Sequence, residues 1–166
     1  DILKKRNFIV ELNIFSSIYS DNYFWVYEKL IKLVDKLDLH ELVTINKDYQ
    51  ADEQILQLLS MNDFSIFPYQ ESKESSSAAV RHGLATGLPV MVSPLPIFND
   101  VSDLVDYLPG TSPDLIAQGI LDWYDCHPIH DNNIKLKRLE AIKYRCFSNL
   151  GLRLASIIRG LELSRN

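Results

Sequence analysis

Between Asn62 and Asp100 two short apolar runs, Phe64 to Phe67 and Val90 to Ser93, enclose a stretch of small side chains, SAAVRHGLAT, from Ser77 to Thr86. Runs this short and without polar alternation suit strands covered on both faces, as in a parallel sheet with helices on each side. The enclosed stretch has helical spacing instead: Ala79, Val80, Gly83 and Leu84 share one face, and their small size lets the helix lie close on the sheet. A glycine inside a helix costs about 1 kcal/mol relative to alanine, so close packing is the physical reason expected for Gly83. Gly87 suits the left-handed position after the last turn, and Pro89 prevents the helix from resuming. The segment reads as strand, helix, strand.

Pro68 has no N–H for the ladder, so the first strand is expected to end there and the chain to turn out at the strand's carboxyl end, the edge at which open α/β sheets bind ligands. The loop that follows, YQESKESSS from Tyr69 to Ser77, is too polar for core. Ser75, Ser76 or Ser77 can cap the next helix, leaving first-turn N–H groups free at its end. With the positive end of the macrodipole these form a seat for a phosphate or carboxylate. Lys73 in the loop and Arg81 a turn into the helix are the cations placed to offset such an anion; read alone, each is equally a solvated surface charge.

Pro68 through Val92 resembles the donor-binding segment of the family 4 retaining glycosyltransferases with the GT-B fold. Those carry Pro, a short gap, Glu, Gly-Phe-Gly, a helix beginning Leu-Pro, a second Glu, Ala-Met-Ala, Gly and Pro-Val-Val. With Gly87, Pro89 and Val90 laid on the family's Gly, Pro and Val, its first Glu falls on Glu74 and its Gly-Phe-Gly on Ser75, Ser76 and Ser77. Its second Glu falls on His82, a departure, because an imidazole cannot accept two ribose hydroxyls as a carboxylate does. The serine-rich form, with GLPVMVSPLPIF after it and LPGTSPDLIAQGI later, is similar to a bacterial branch in which serines replace the glycine loop. The likeness extends over about residues 8 to 160. It implies that the whole chain, 1–166, is one donor-binding domain, a fragment without the acceptor domain and the first strand.

Composition agrees with a folded domain and excludes other classes. A chain of 166 residues with 46% hydrophobic and 23% charged side chains can bury a core and is not of disordered type. A formal net charge of −5 argues against a general nucleic-acid surface. No apolar run approaches the roughly 18 residues that cross a bilayer. The expected setting is therefore cytoplasmic, with peripheral association at the inner membrane open to the full-length protein. Cys126 and Cys146 belong to no CxxC pattern and read as free thiols. His40, His82, His127 and His130 have no ligand spacing, and CHPIHD from Cys126 to Asp131 reads as a loop rather than a zinc site.

Elsewhere the pattern alternates. Asp1 to Arg6 reads as a helix tail, Phe8 to Phe15 and Leu39 to Ile45 as strands, and Ser20 or Asp21 to about Leu37 as a helix with Val26, Leu30, Leu33, Val34 and Leu37 in its stripe. Phe24 and Trp25 are expected in the core, Tyr49 at an exposed turn. Asp52 to Met61 reads as a short helix and Pro94 to Phe98 as an extended loop, with Asp100 a cap. Ser112-Pro113 starts a helix to about Tyr124 that buries Leu115, Ile116, Ile120 and Trp123. Asn133 to Leu163 reads as terminal helices broken at Gly151, with an exposed apolar stripe. Alternation throughout predicts a doubly wound, Rossmann-like α/β domain with a parallel sheet and helices on both faces.

The resemblance implies a glycosyltransferase domain that binds a nucleotide-diphosphate sugar and transfers the sugar, with retention, to a glycan or lipid acceptor held by another domain. Glu74 would lie against the sugar. Ser75, Ser76 and Ser77 would hold the diphosphate, Lys73 or Arg81 would offset its charge, and His82 would touch the ribose. No metal or other cofactor is implied. Two alternatives stand beside it: a degenerate, non-catalytic GT-B interaction domain, and a nucleotide-sugar epimerase.

Overall fold

The computed structural model describes residues 1–18, 20–127 and 132–163. The chain divides into two compact units, Asp1–Ile55 and Leu56–Asn166, and the division falls inside helix α3 (Asp52–Ser60).

The first unit contains helix α1 (Ile2–Lys5), strand β1 (Leu12–Phe15), a 3-10 turn (Asp21–Tyr23), helix α2 (Phe24–Lys36) and strand β2 (Val43–Asn46). β1 and β2 pair in parallel, from Leu12 beside Val43 to Phe15 beside Asn46. Both strands are shorter than the apolar runs suggest, for one reason. Leu39 to Leu42 fold into a turn closed by N–H groups of Leu42 and Val43 on the Leu39 carbonyl, both at 3.0 Å, after Asp38 takes a left-handed φ of 51°. β2 thus starts only at Val43, and Phe8 to Glu11 have no strand to pair with. His40 lies in this turn, 3.5 Å from Asp35. Phe24 and Trp25 are corrected outright: both are exposed, Trp25 by 58%, and Phe24 lies in a tilted ring contact with Tyr27 of its own helix, centroids 5.6 Å apart. Tyr49 is exposed, as expected.

The second unit contains β3 (Ser65–Phe67), α4 (Ala78–Ala85), β4 (Val90–Val92), a 3-10 helix (Pro96–Val101), β5 (Asp106–Tyr107), α5 (Pro113–Cys126), α6 (Asn132–Tyr144) and α7 (Phe147–Leu163). Its sheet has the order β3-β4-β5, parallel throughout, with Ser65 beside Val90 and Met91 beside Asp106. The parallel α/β architecture is the one expected, with its strands in two sheets.

β4 explains its own lack of polar alternation. Val90 and Val92 join Val80 and Leu84 of α4 in one cluster with Ile97, Phe98, Val101 and Leu104, while Met91, on the alternate side, is also buried. Gly83 permits the approach of α4 to β3: a Cβ there would lie 3.0 Å from the Phe67 ring and 3.4 Å from the Ser65 Cβ. Ser65 is small for the same reason, and its buried hydroxyl has no hydrogen-bond partner. Gly87 has φ 73°, and a side chain there would also meet Leu139 at 2.7 Å. On α5, Ser112 caps through its hydroxyl to the Leu115 amide, and Ala117, Ile120 and Trp123 are buried.

Three expectations are corrected here. Pro94 to Phe98 is not extended throughout: Pro96 opens a 3-10 helix as its first residue and buries Ile97, Phe98 and Val101, because a proline's fixed φ suits a first helical turn. Leu115 is 42% exposed. The break between the last two helices falls at Arg145 and Cys146, and Gly151 lies inside α7 with open space around it. The apolar stripe of α7 is exposed as expected, at Phe147, Leu150, Leu154, Ile157 and Leu161.

Candidate functional site

Because β3, β4 and β5 run the same way, the loops that leave their carboxyl ends share one edge of the second unit. The chain turns at Pro68, with the Tyr69 amide on the Phe67 carbonyl at 3.0 Å. Ser93, fully buried after β4, donates its hydroxyl to the Tyr69 carbonyl at 2.7 Å and fixes the base of the serine loop. The Tyr69 ring packs on Phe98 at 5.3 Å, and its hydroxyl lies 3.1 Å from the Ser77 hydroxyl. Gln70 then ties the loop to the segment after β5 through the Thr111 carbonyl at 3.0 Å.

Ser77 is the cap among the three candidate serines. It has extended backbone and accepts the Val80 amide on its hydroxyl at 3.3 Å, and its side chain is buried. Ser76 is half-buried and Ser75 exposed. A helix leaves its first amides without intrahelical acceptors, and the cap takes that of Val80, so the N–H groups of Ala78 and Ala79 remain open. Both residues are exposed.

The predicted cations differ in state. Lys73 is exposed and forms no ion pair among the described residues. Arg81 is engaged twice, through Nη1 on the Ser77 carbonyl at 2.7 Å and through Nη2 on the Asp100 carboxylate. Asp100 is accordingly not a cap: it lies within the 3-10 helix and pairs with Arg81. Glu74 is exposed; its amide donates to the Ser72 hydroxyl at 3.2 Å and its carboxylate is open. His82 is half-buried on α4. Direct contacts thus join Ser77 and Arg81, while Lys73, Glu74 and Ser75 share only the loop.

Tyr69, Ser93, Gln70 and Asp100 complete this edge and are absent from the predicted set. Tyr69 reads in sequence as a loop residue, and its eight-residue separation from Ser77 carries no period that would pair them. Asp100 lies 19 residues from Arg81, again without local signal.

No group of three His, Cys, Asp or Glu side chains converges among the described residues. In the CHPIHD segment, Pro128 to Asp131, including His130, lie outside the described residues. His127 stacks on Trp123 at 4.9 Å, and Cys126 is an exposed free thiol. Cys146 is also free, at the start of α7; a hydrogen bond with the Ser148 hydroxyl, and then the Asn149 amide, holds its thiol pKa below the ordinary value. No helix among the described residues is long and apolar enough to cross a membrane.

No protein-family model and no curated protein matches this chain. Among solved structures it is similar to a sucrose-phosphate synthase from Thermosynechococcus elongatus, with a TM-score of 0.69 at 14% sequence identity. The match covers 93% of this chain and 39% of that one, so the chain spans well under half the length of that protein. At this identity the likeness is one of fold, and it supports the GT-B, Rossmann-like architecture expected from the sequence.

Proposed function

We propose that this chain is a glycosyltransferase domain that binds a nucleoside-diphosphate sugar at the carboxyl edge of the β3-β4-β5 sheet. The observation that carries the reading is the serine-capped start of α4, with the Ala78 and Ala79 amides open after the loop that carries Lys73 and Glu74, on a fold similar to that of a sucrose-phosphate synthase.

In this reading the diphosphate rests on the open amides and on the Ser75 and Ser76 loop, with the macrodipole of α4 behind it. Lys73 and Arg81 offset the charge that develops on the leaving diphosphate, which is electrostatic stabilisation of the departing group. Glu74, with its carboxylate open, lies beside the transferred sugar. His82 donates or accepts one hydrogen bond at the ribose. The sugar passes with retained configuration to a glycan or lipid acceptor presented by another part of the polypeptide.

Isothermal titration with UDP, GDP, ADP and their sugars tests this. The expected result is saturable binding of one nucleoside diphosphate, competed by inorganic pyrophosphate. Ala78→Pro sharpens the test, because proline fits the first helical position yet removes one of the proposed donors; about tenfold weaker binding is expected from losing a hydrogen bond to a charged group. Silence with all three nucleotides, or full binding by Ala78→Pro, overturns the seat.

The non-catalytic reading keeps one specific support: His82 stands where the resembled family has a glutamate. Donor binding without transfer or donor hydrolysis by the full-length protein would favour it.

A further inference from the structure

Arg81 lies four residues after the cap, where a helical side chain leans back over the first turn. Its guanidinium holds the Ser77 carbonyl at 2.7 Å together with the Asp100 carboxylate. The Ser77 oxygen and the Ala78 nitrogen belong to one trans peptide, whose C=O and N–H point in opposite directions. The guanidinium is therefore within roughly 5 Å of the Ala78 nitrogen, but beyond the face of the peptide whose N–H an anion would take.

We propose that Asp100 is a positioning residue that keeps Arg81 in reserve, occupying the guanidinium until a phosphate on the Ala78 and Ala79 amides draws it away. The inference rests on the reading of the α4 start as a diphosphate seat. Release is physically cheap on every side. Side-chain exposures of 48% for Arg81 and 38% for Asp100 let water take over at both groups. The Ser77 carbonyl keeps the backbone amide of Arg81, the first bond of the helix. A phosphate offers the guanidinium more charge than the carboxylate it leaves, and can accept from both Nη groups where Asp100 takes Nη2 alone. Asp100 then competes with ligand for Arg81, and a weakly charged anion fails to win the exchange.

Titration of inorganic pyrophosphate, UDP and GDP into the wild-type chain, Asp100→Asn, Asp100→Glu, Arg81→Gln and the Arg81→Gln/Asp100→Asn double variant tests the proposal. Asp100→Asn is expected to tighten binding about three- to fivefold, the range that an exposed ion pair can withhold. Asp100→Glu, which keeps the carboxylate, is expected to bind like wild type. In the Arg81→Gln background the gain from Asp100→Asn is expected to vanish, which a merely structural role for Asp100 would not produce. Unchanged or weaker binding by Asp100→Asn overturns the proposal while leaving the seat intact. An equal gain in the Arg81→Gln background also overturns it, as simple repulsion by the carboxylate. If neither wild type nor Asp100→Asn binds any probe, the seat falls and the inference with it.

Discussion

At the scale of single residues, local hydrogen bonds decide chemistry that the sequence cannot display. Cys146 is one of two cysteines with no motif around it, yet its thiol lies 3.1 Å from the Ser148 hydroxyl at the open end of α7. Ser148 first, and then the Asn149 amide, stabilise the thiolate and lower the pKa, against a small opposing effect of burial. The sign is that of an acid favoured in its charged form: the thiolate fraction at a given pH is larger in the folded chain than in the unfolded one. In a Cys126→Ser background, the pH-rate profile for iodoacetamide is therefore expected to turn over at lower pH in the native chain than in urea. Ser148→Ala should move the native midpoint upward. Identical profiles for the native chain with and without Ser148 would refute the assignment.

At the scale of elements, what was legible in the sequence was whatever local chemistry dictates. Ser77 and Ser112 as possible caps, Gly83 as a close approach and Gly87 as a left-handed turn all follow from backbone needs that only a few residue types meet. The 3-10 helix at Pro96 and the short β1 were not legible, since the first is chosen by burial of Ile97 and Phe98 and the second by where β2 begins. Nor was the choice of Ser77 over Ser75 and Ser76, since the Tyr69 hydroxyl that meets the Ser77 hydroxyl comes from eight residues away and leaves no local signal. Ser77→Ala removes the acceptor for the Val80 amide and strands the Tyr69 hydroxyl, so a loss of about 1–2 kcal/mol in urea unfolding is expected. Tyr69→Phe should cost less alone. Combined with Ser77→Ala it should cost less than the sum, since the second change removes the group that the first left unpaired. Strict additivity would break the link between the loop and the cap.

At the scale of the whole molecule, the apolar burial is uneven. Among the described buried hydrophobic residues only Leu39 precedes Leu56, and the remainder, from Val80 to Trp123, belong to the second unit. The periodicity of α2 suggests an equal share of core, yet Trp25, Val26 and Leu33 are exposed, so a helical stripe in sequence is evidence of a face and not of what covers it. The same holds for α7, where Phe147 is 93% exposed at the head of its apolar stripe. Amide protection follows buried contacts, and segments with few of them open locally below the global unfolding free energy. Hydrogen exchange of the 166-residue chain is therefore expected to be slowest at Val80, Leu84 and Val90 to Val92, and faster by orders of magnitude in α2, β1 and α7. The candidate site divides along the same line: Ser77 and Ser93 are anchored in the slow region, while Lys73, Glu74 and Ser75 sit on an exposed loop. A ligand held by the α4 amides should slow exchange at Ala78 and Ala79 and leave β1 unchanged. Protection of Ile14 in β1 equal to that of Met91 in β4 would contradict the uneven core, and with it the view that the second unit alone supplies a rigid frame for an anion.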